Sequence, residues 1–368
     1  MTTTPANVAQ SAASAGAAAQ GRLGAIDIFR GLAILEVVTH HMLGMGLRQV
    51  DPDSTLHFLM AVLNRALHFA VPAFLFMTAV VLTRSALRKP GGFRTGAFYW
   101  GRVQKSLRPY VVWTALYAVF KVVALGSPVA PLLDPDRWAF WLLHGKGYFH
   151  LYFLLIALQF YAALPLLLPL FRRKLPFWGI LIGSMALQIG IYWLNREYRL
   201  FPYPASSALW YVPSIALGMY FGANYARFEE IWQRFRLWIT AAAAVGTAAY
   251  VSLGYRALEG IPVNTIAYSS SYWLYSTVMA LLLFGVAHSL TRAPRWLRSP
   301  LQALGSTSLQ IYLLHPALLI GFEVLGFPGS TLLFTLSMLG YTALALLLPY
   351  LGARVIAGSR LSLWLFGR

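Results

Sequence analysis

Apolar runs of about 20 residues recur along this sequence, and they limit what the chain can fold into more than any other feature. "HLYFLLIALQFYAALPLL" (150–167), "WGILIGSMALQIGIYWL" (178–194) and "TLLFTLSMLGYTALALLLPYL" (331–351) are three of them. Each is long enough as a helix to cross roughly 30 Å of hydrocarbon. Lipid offers no partner to a backbone N–H or C=O, so such runs must satisfy their own hydrogen bonds. The fold class expected is therefore all-α, a polytopic membrane helix bundle. A soluble domain carries charge on about a quarter of its residues, whereas only 11% are charged here. Ten spans are expected, at 26–46, 61–83, 109–125, 149–171, 177–195, 208–226, 237–254, 269–290, 301–321 and 332–355. Residues 1–24 are rich in Ala, Ser and Thr and lack the basic and apolar regions of a signal peptide. They are expected to form a disordered cytoplasmic tail. The transmembrane domain is placed at 25–358, and a second cytoplasmic tail at 359–368.

The net charge of +18 raises nucleic acid as a partner, but in a membrane chain it points to basic cytoplasmic loops. With the N-terminus inside, 20 Arg and Lys fall on the inner side and 7 on the outer, while Arg30 and Lys121 lie within spans. Both termini are thus expected in the cytoplasm, in the inner (plasma) membrane. Lys121 is expected to snorkel or to face the bundle. The chain has no cysteine, which excludes disulfides, zinc-thiolate sites and a thioester on the protein itself.

The first span is unusually polar. "RGLAILEVVTHH" (30–41) holds Arg30, Glu36, His40 and His41 among apolar neighbours. Eleven residues make three helical turns plus about 20°, so Arg30 and His41 share one face roughly 16 Å apart. Asp27 lies near the same face and could pair with Arg30 as an interfacial ion pair. Glu36 and His40, four apart, are expected to form a second pair about 120° around the helix. Ionisable groups within a membrane are costly and usually functional, which makes Arg30 and His41 the leading site candidates.

"IDIFRGLAILEVVTHH" (26–41) resembles the opening of the acyltransferase 3 family of integral membrane acyltransferases. In that family the first helix carries an arginine, ten residues, then a histidine, and Arg30 and His41 fit the spacing. "VPAFLFMTAVVL" (71–82) resembles the second-helix segment, with Thr78–Ala79 where the family often has Ser–Gly. "FYWGRVQKSLRPY" (98–110) resembles the basic stretch before the third helix. Its Arg-x-x-Arg becomes Arg102-x-x-Lys105, which exchanges a bidentate fork for a point charge. "HLYFLLIALQFYAALPLL" and "LGSTSLQIYLLHP" (304–316) are similar to the fourth-helix and late-helix segments. Glu36 is not part of the family pattern. In layout the chain is closest to stand-alone members that modify exopolysaccharides or lipid-linked sugars.

The resemblance implies O-acyl transfer from a cytoplasmic donor, commonly acyl-CoA, to a hydroxyl of an extracytoplasmic glycan or lipid-linked sugar. Acyl-CoA is then a substrate, and no cofactor or metal is expected. Arg102, Lys105 and Arg108 are the candidate donor-binding residues, because guanidinium and ammonium groups suit phosphates; the competing reading makes them topology signals. His41 is the candidate general base, since a histidine can take a hydroxyl proton near neutral pH. His315, His150, His40, Glu36 and Asp27 are supporting candidates. His315 is as readily explained by a bond to a carbonyl freed by Pro316, and His150 as a polar cap. His68 reads as structural, and Glu323 as a solvated loop residue that could otherwise meet a sugar hydroxyl. A secondary transporter or flippase for a polar or lipid-linked sugar would use similar buried groups as a proton relay. A non-catalytic partner in polysaccharide export is the third reading.

Overall fold

The structure, a computed structural model, describes residues 5–89 and 91–368, with side chains from Gly24 onward. The tail expected over 1–24 falls largely outside the described side chains. Helix α1 (Pro5–Gly46) is followed by α2 (Thr55–Ala66), α3 (Ala70–Leu87), α4 (Thr95–Arg102) and α5 (Arg108–Leu125). Next come α6 (Pro135–His144), α7 (Tyr152–Phe171), α8 (Phe177–Tyr198), α9 (Val212–Ala223) and α10 (Tyr225–Leu258). The chain ends in α11 (Thr265–Leu290), α12 (Arg295–Ser306), α13 (Ser308–Leu325), α14 (Thr331–Val355) and α15 (Arg360–Phe366). No strand occurs among the described residues. Among the described residues, eight helical stretches are long and apolar enough to cross a membrane, and a shorter apolar one runs over Ala208–Ala223. With α1 these correspond to the ten expected spans. The protein is a polytopic, multi-pass membrane helix bundle.

Three spans differ from expectation in ways that shape the site. The second is a longer stretch, Thr55–Leu87, broken between α2 and α3. Pro72 has no N–H to give the His68 carbonyl, so the helix cannot run through regularly. The third begins at Thr95 rather than 109 and continues to Leu125, with a π-turn at Val103–Leu107 joining α4 to α5. The basic stretch 98–108 is therefore part of a long helix and not a loop. The ninth span is split at Thr307 into α12 and α13.

α1 is the axis of the bundle. Its Ile28 and Phe29 pack into a core with Phe76 and Phe284, and its Ile34, Val38 and Met42 into another with Tyr117 and Tyr312. α12 crosses it at two glycines. A Cβ at Gly31 would lie 2.0 Å from the Leu301 carbonyl oxygen, and one at Gly305 would lie 1.8 Å from that of Asp27. Only glycine permits so close a crossing, and the crossing fixes the backbone on which Asp27 and Arg30 stand. Residues 359–368, expected as a tail, are helical over Arg360–Phe366 and fold back onto α5. Trp113 Nε1 donates to the Leu365 carbonyl at 2.8 Å, and the Arg108 guanidinium donates to the Leu363 carbonyl.

Candidate active site

Two cavities open along α1. The one at the Arg30 end, called inner after the expected topology, has a volume of about 500 Å³ and is lined by Arg30, Arg102, Lys105 and Arg368 together with Thr78, Ser106, Ser308 and aromatic rings. Among the described residues, four cationic side chains and no side-chain carboxylate line it. Asp27 stands beside it, 3.9 Å from Arg30, as the sequence suggests. Arg102 also lies over the rings of Phe98 and Tyr161 at 5.5 and 5.4 Å. A further space of about 260 Å³ shares Arg102 and Lys105 and adds Lys89 and Arg94. Arg108, expected with Arg102 and Lys105, is placed elsewhere, over the Trp364 ring at 4.8 Å.

The outer cavity, about 420 Å³, is lined by His40, His41 and His68 with Asn64, Arg65, Phe149 and Pro316. Arg48 and Glu323, also lining it, form an ion pair at 2.9 Å that ties the end of α1 to the end of α13. Glu323 thus has a partner the sequence does not suggest. His41 makes no ring hydrogen bond among the described residues. Its ring lies 5.4 Å from that of His315 and 5.0 Å from that of Phe149.

The expected Glu36–His40 pair does not form. His40 Nδ1 lies 2.9 Å from the Asn64 carbonyl oxygen and acts as donor to it, and Asn64 Nδ2 donates back to the His40 carbonyl at 2.8 Å. The partner lies 24 residues away, across the α1–α2 contact, rather than one turn away. Glu36 is buried with neither oxygen in a hydrogen bond of regular geometry. It faces the backbone N–H groups of Phe69 and Ala70, at the start of α3. A helix start presents unpaired N–H groups, and the Glu36 carboxyl group faces two of them. On the other side of the break, the Tyr275 hydroxyl donates to the Ala66 carbonyl at 2.6 Å.

Between the cavities lie His315, His150 and Tyr312, all buried. His315 Nδ1 donates to the Ile311 carbonyl at 3.0 Å, which leaves Nε2 as the acceptor nitrogen of the neutral ring; that nitrogen has no partner. The Ile311 carbonyl lies one turn back, and the ring also faces the Tyr312 carbonyl that Pro316 frees, as the sequence suggests. Neither ring nitrogen of His150 has a partner, and its ring lies 6.0 Å from that of His315. The Tyr312 hydroxyl donates to the His150 carbonyl. Buried polar atoms without partners are rare, and among the described residues these three nitrogens belong to two neighbouring rings.

His68, which reads as structural, shares the outer cavity: its ring stacks on His40 at 5.1 Å and its Nδ1 lies 2.6 Å from the Tyr250 hydroxyl. Lys121 faces the bundle, over the Trp141 ring at 4.4 Å. Neither Arg65 nor Arg368 carries a sequence signal, since each reaches its cavity by tertiary packing alone.

A helical membrane bundle with a cationic inner cavity and a histidine-lined outer one on the same helix defines a class of two-sided membrane enzyme or carrier. Comparison with known proteins supports the enzyme at the level of family. The family model described as an acyltransferase domain, that of acyltransferase 3, matches residues 23–354, and the chain belongs to this family of membrane acyltransferases. It is similar to YfiQ of Bacillus subtilis (strain 168), named as a membrane-bound acyltransferase, at 26% identity over 340 residues, covering 86% of this chain and 88% of the relative. It is also similar to a protein of Staphylococcus aureus (strain MSSA476) named for poly-beta-1,6-N-acetyl-D-glucosamine export, at 22% identity over 296 residues, covering 77% of this chain and 78% of the relative. No solved structure matches the chain.

Proposed function

We propose that this acyltransferase moves an acyl group from acyl-CoA, held in the inner cavity, to a hydroxyl of an extracytoplasmic glycan or lipid-linked sugar in the outer cavity, in the inner (plasma) membrane. The observation that carries the reading is the pair of unlike cavities at the two ends of one helical face. Arg30 lines the inner cavity and His41 the outer, roughly 16 Å apart along the axis. The inner cavity has the cations to bind a nucleotide's phosphates. The outer cavity has neutral nitrogen bases and hydrogen-bonding groups suited to sugar hydroxyls.

In the reaction, His41 takes the proton from the acceptor hydroxyl as its oxygen attacks the thioester carbonyl. The resulting C–O bond replaces the C–S bond, and the proton passes from His41 to the departing thiolate, giving CoA thiol and an ester. His315 and His150 line the path between the cavities; the His315 ring, 5.4 Å from that of His41, has an unpaired Nε2 that supports the His41 ring when it is protonated. Aromatic rings of Phe74, Phe153 and Tyr312 line the inner cavity on that path and keep water from the thioester. The similarity to a polysaccharide export protein supports a carbohydrate acceptor, and the basic inner face supports a cytoplasmic donor.

The test is acyl transfer by purified protein in nanodiscs, with labelled acetyl-CoA and a poly-N-acetylglucosamine oligomer. Label in the glycan with stoichiometric release of CoA thiol supports the reading. Glycan movement across proteoliposomes, with no CoA release under any condition, would sink it in favour of a carrier.

A further inference from the structure

The C-terminal segment reaches further into the molecule than a tail needs to. Arg368 lines the inner cavity beside Arg30, Arg102 and Lys105. Its guanidinium donates to the Gln310 side-chain oxygen, on the helix that also carries His315. Gly367 sits so close to the π-turn that a Cβ there would lie 2.5 Å from Lys105 Cα, and its φ of 71° is one that glycine adopts without strain. α15 behind it is held to α5 by the Trp113 and Arg108 bonds to its carbonyls. Residues 363–368 are thus held by three hydrogen bonds and by the close approach of Gly367 to Lys105, which together bring Arg368 to the inner cavity.

Charge gives this placement a meaning. Partial burial, and then the neighbouring Arg30 guanidinium, push the Arg368 pKa down from its ordinary value. The fold crowds four cationic side chains around one cavity, and Asp27 is the side-chain carboxylate set against Arg30 and Arg368. Like charges brought together in a partly enclosed space repel unless an anion joins them. Gln310 can accept from Arg368 but carries no charge to offset it.

We propose that Arg368 is a ligand-binding residue: with Arg30, Arg102 and Lys105 it forms a four-cation cradle for a phosphate group of a nucleotide, and α15 is the element that delivers it. This rests on the reading of the inner cavity as the donor site, and adds to it a residue over 250 positions away from the basic stretch that the sequence marks. Arg108 then acts indirectly, as the anchor of α15 and not as a phosphate ligand.

Binding of CoA and of inorganic pyrophosphate to full-length protein in phosphatidylcholine nanodiscs tests the proposal, with folding of each variant checked by thermal melting. Arg368→Ala and Arg368→Gln should each weaken both probes about tenfold, the loss of one charge-assisted contact. Arg368→Lys should recover part of that loss, and the salt dependence of wild-type binding should flatten in the alanine variant. If Arg368→Gln binds both probes as wild type does while Arg102→Ala loses them, the donor site stands and the role of Arg368 is overturned. If wild-type protein binds neither probe, the cradle and the donor reading both fall. An Arg368-dependent response to added phosphatidylglycerol, with none to CoA, would assign the cradle to a lipid headgroup and overturn the nucleotide assignment.

Discussion

The two cavities share a helix but are built by opposite means. The inner one is assembled from long cationic side chains on α1, the α4–α5 helix and the C-terminal segment, held by packing and by a glycine crossing. The outer one is assembled from short, flat imidazoles held by specific hydrogen bonds: His40 by Asn64, and His68 by Tyr250. Long cations can follow a large, charged, mobile group. His41, whose ring makes no hydrogen bond among the described residues, is packed between the rings of His40, Phe149 and His315, which leaves its nitrogens open to an acceptor. The difference fits an inner end that binds and an outer end that reacts, and substitutions at the two ends should separate binding from rate.

The largest effect is expected at His41. His41→Ala should slow acyl transfer by roughly 10²–10⁴-fold, the range for losing a positioned proton-transfer group, while CoA affinity stays near wild type. His40→Gln should cost far less and mainly through stability, because Gln can still donate to the Asn64 carbonyl. Transfer rates at matched levels of folded protein decide this. A dead His40→Gln beside a healthy His41→Ala would move the chemistry to the other face of α1.

At the inner end the effect should appear in binding. Arg102→Ala should raise the donor KM by about 10- to 100-fold, as expected for a hydrogen bond to a charged group worth about 1.5–3 kcal/mol, and leave kcat little changed. A fall in kcat at unchanged KM would erase the division between the two ends.

Much of this layout can be read from the sequence. The apolar runs locate the spans to within a few residues at α7, α8 and α14, and the Arg30–His41 spacing names one residue in each cavity. Helical periodicity relates a residue only to others on its own helix, and so it leads to the wrong partner for Glu36 and His40. Asn64 and the start of α3 become neighbours of α1 only when α2 and α3 pack against it. The break at Leu67–Phe69 has a local signal in Pro72, but its consequence, a helix start aimed at a buried carboxylate, has none. Arg368 is beyond any pattern argument, because nothing in "LWLFGR" (363–368) marks it as part of a site formed by residues 30 and 102.

A smaller effect is expected at Glu36, which supports the outer end without lining it. Glu36→Gln should lower stability by no more than about 2 kcal/mol, the upper range for a charge at a helix terminus, with kcat within about twofold on the same argument. A melting curve and one rate measurement settle it, and lost turnover at unchanged stability would make Glu36 part of the chemistry. The smallest effect belongs to Arg108→Ala. It should weaken CoA binding only about threefold, less than loss of a direct charged contact, because α15 keeps its Trp113 anchor. A loss as large as that of Arg102→Ala would restore Arg108 to the cradle.

The central claim, one site reached from two faces of the membrane, is tested most directly by sidedness. Acyl transfer would be measured in sealed proteoliposomes of known orientation, with membrane-impermeant acetyl-CoA on one side and a glycan acceptor on the other. The account predicts transfer only when the donor is on the side of the Arg94 and Lys174 segments and the acceptor is opposite. Equal transfer with donor and acceptor confined to the same side would contradict it.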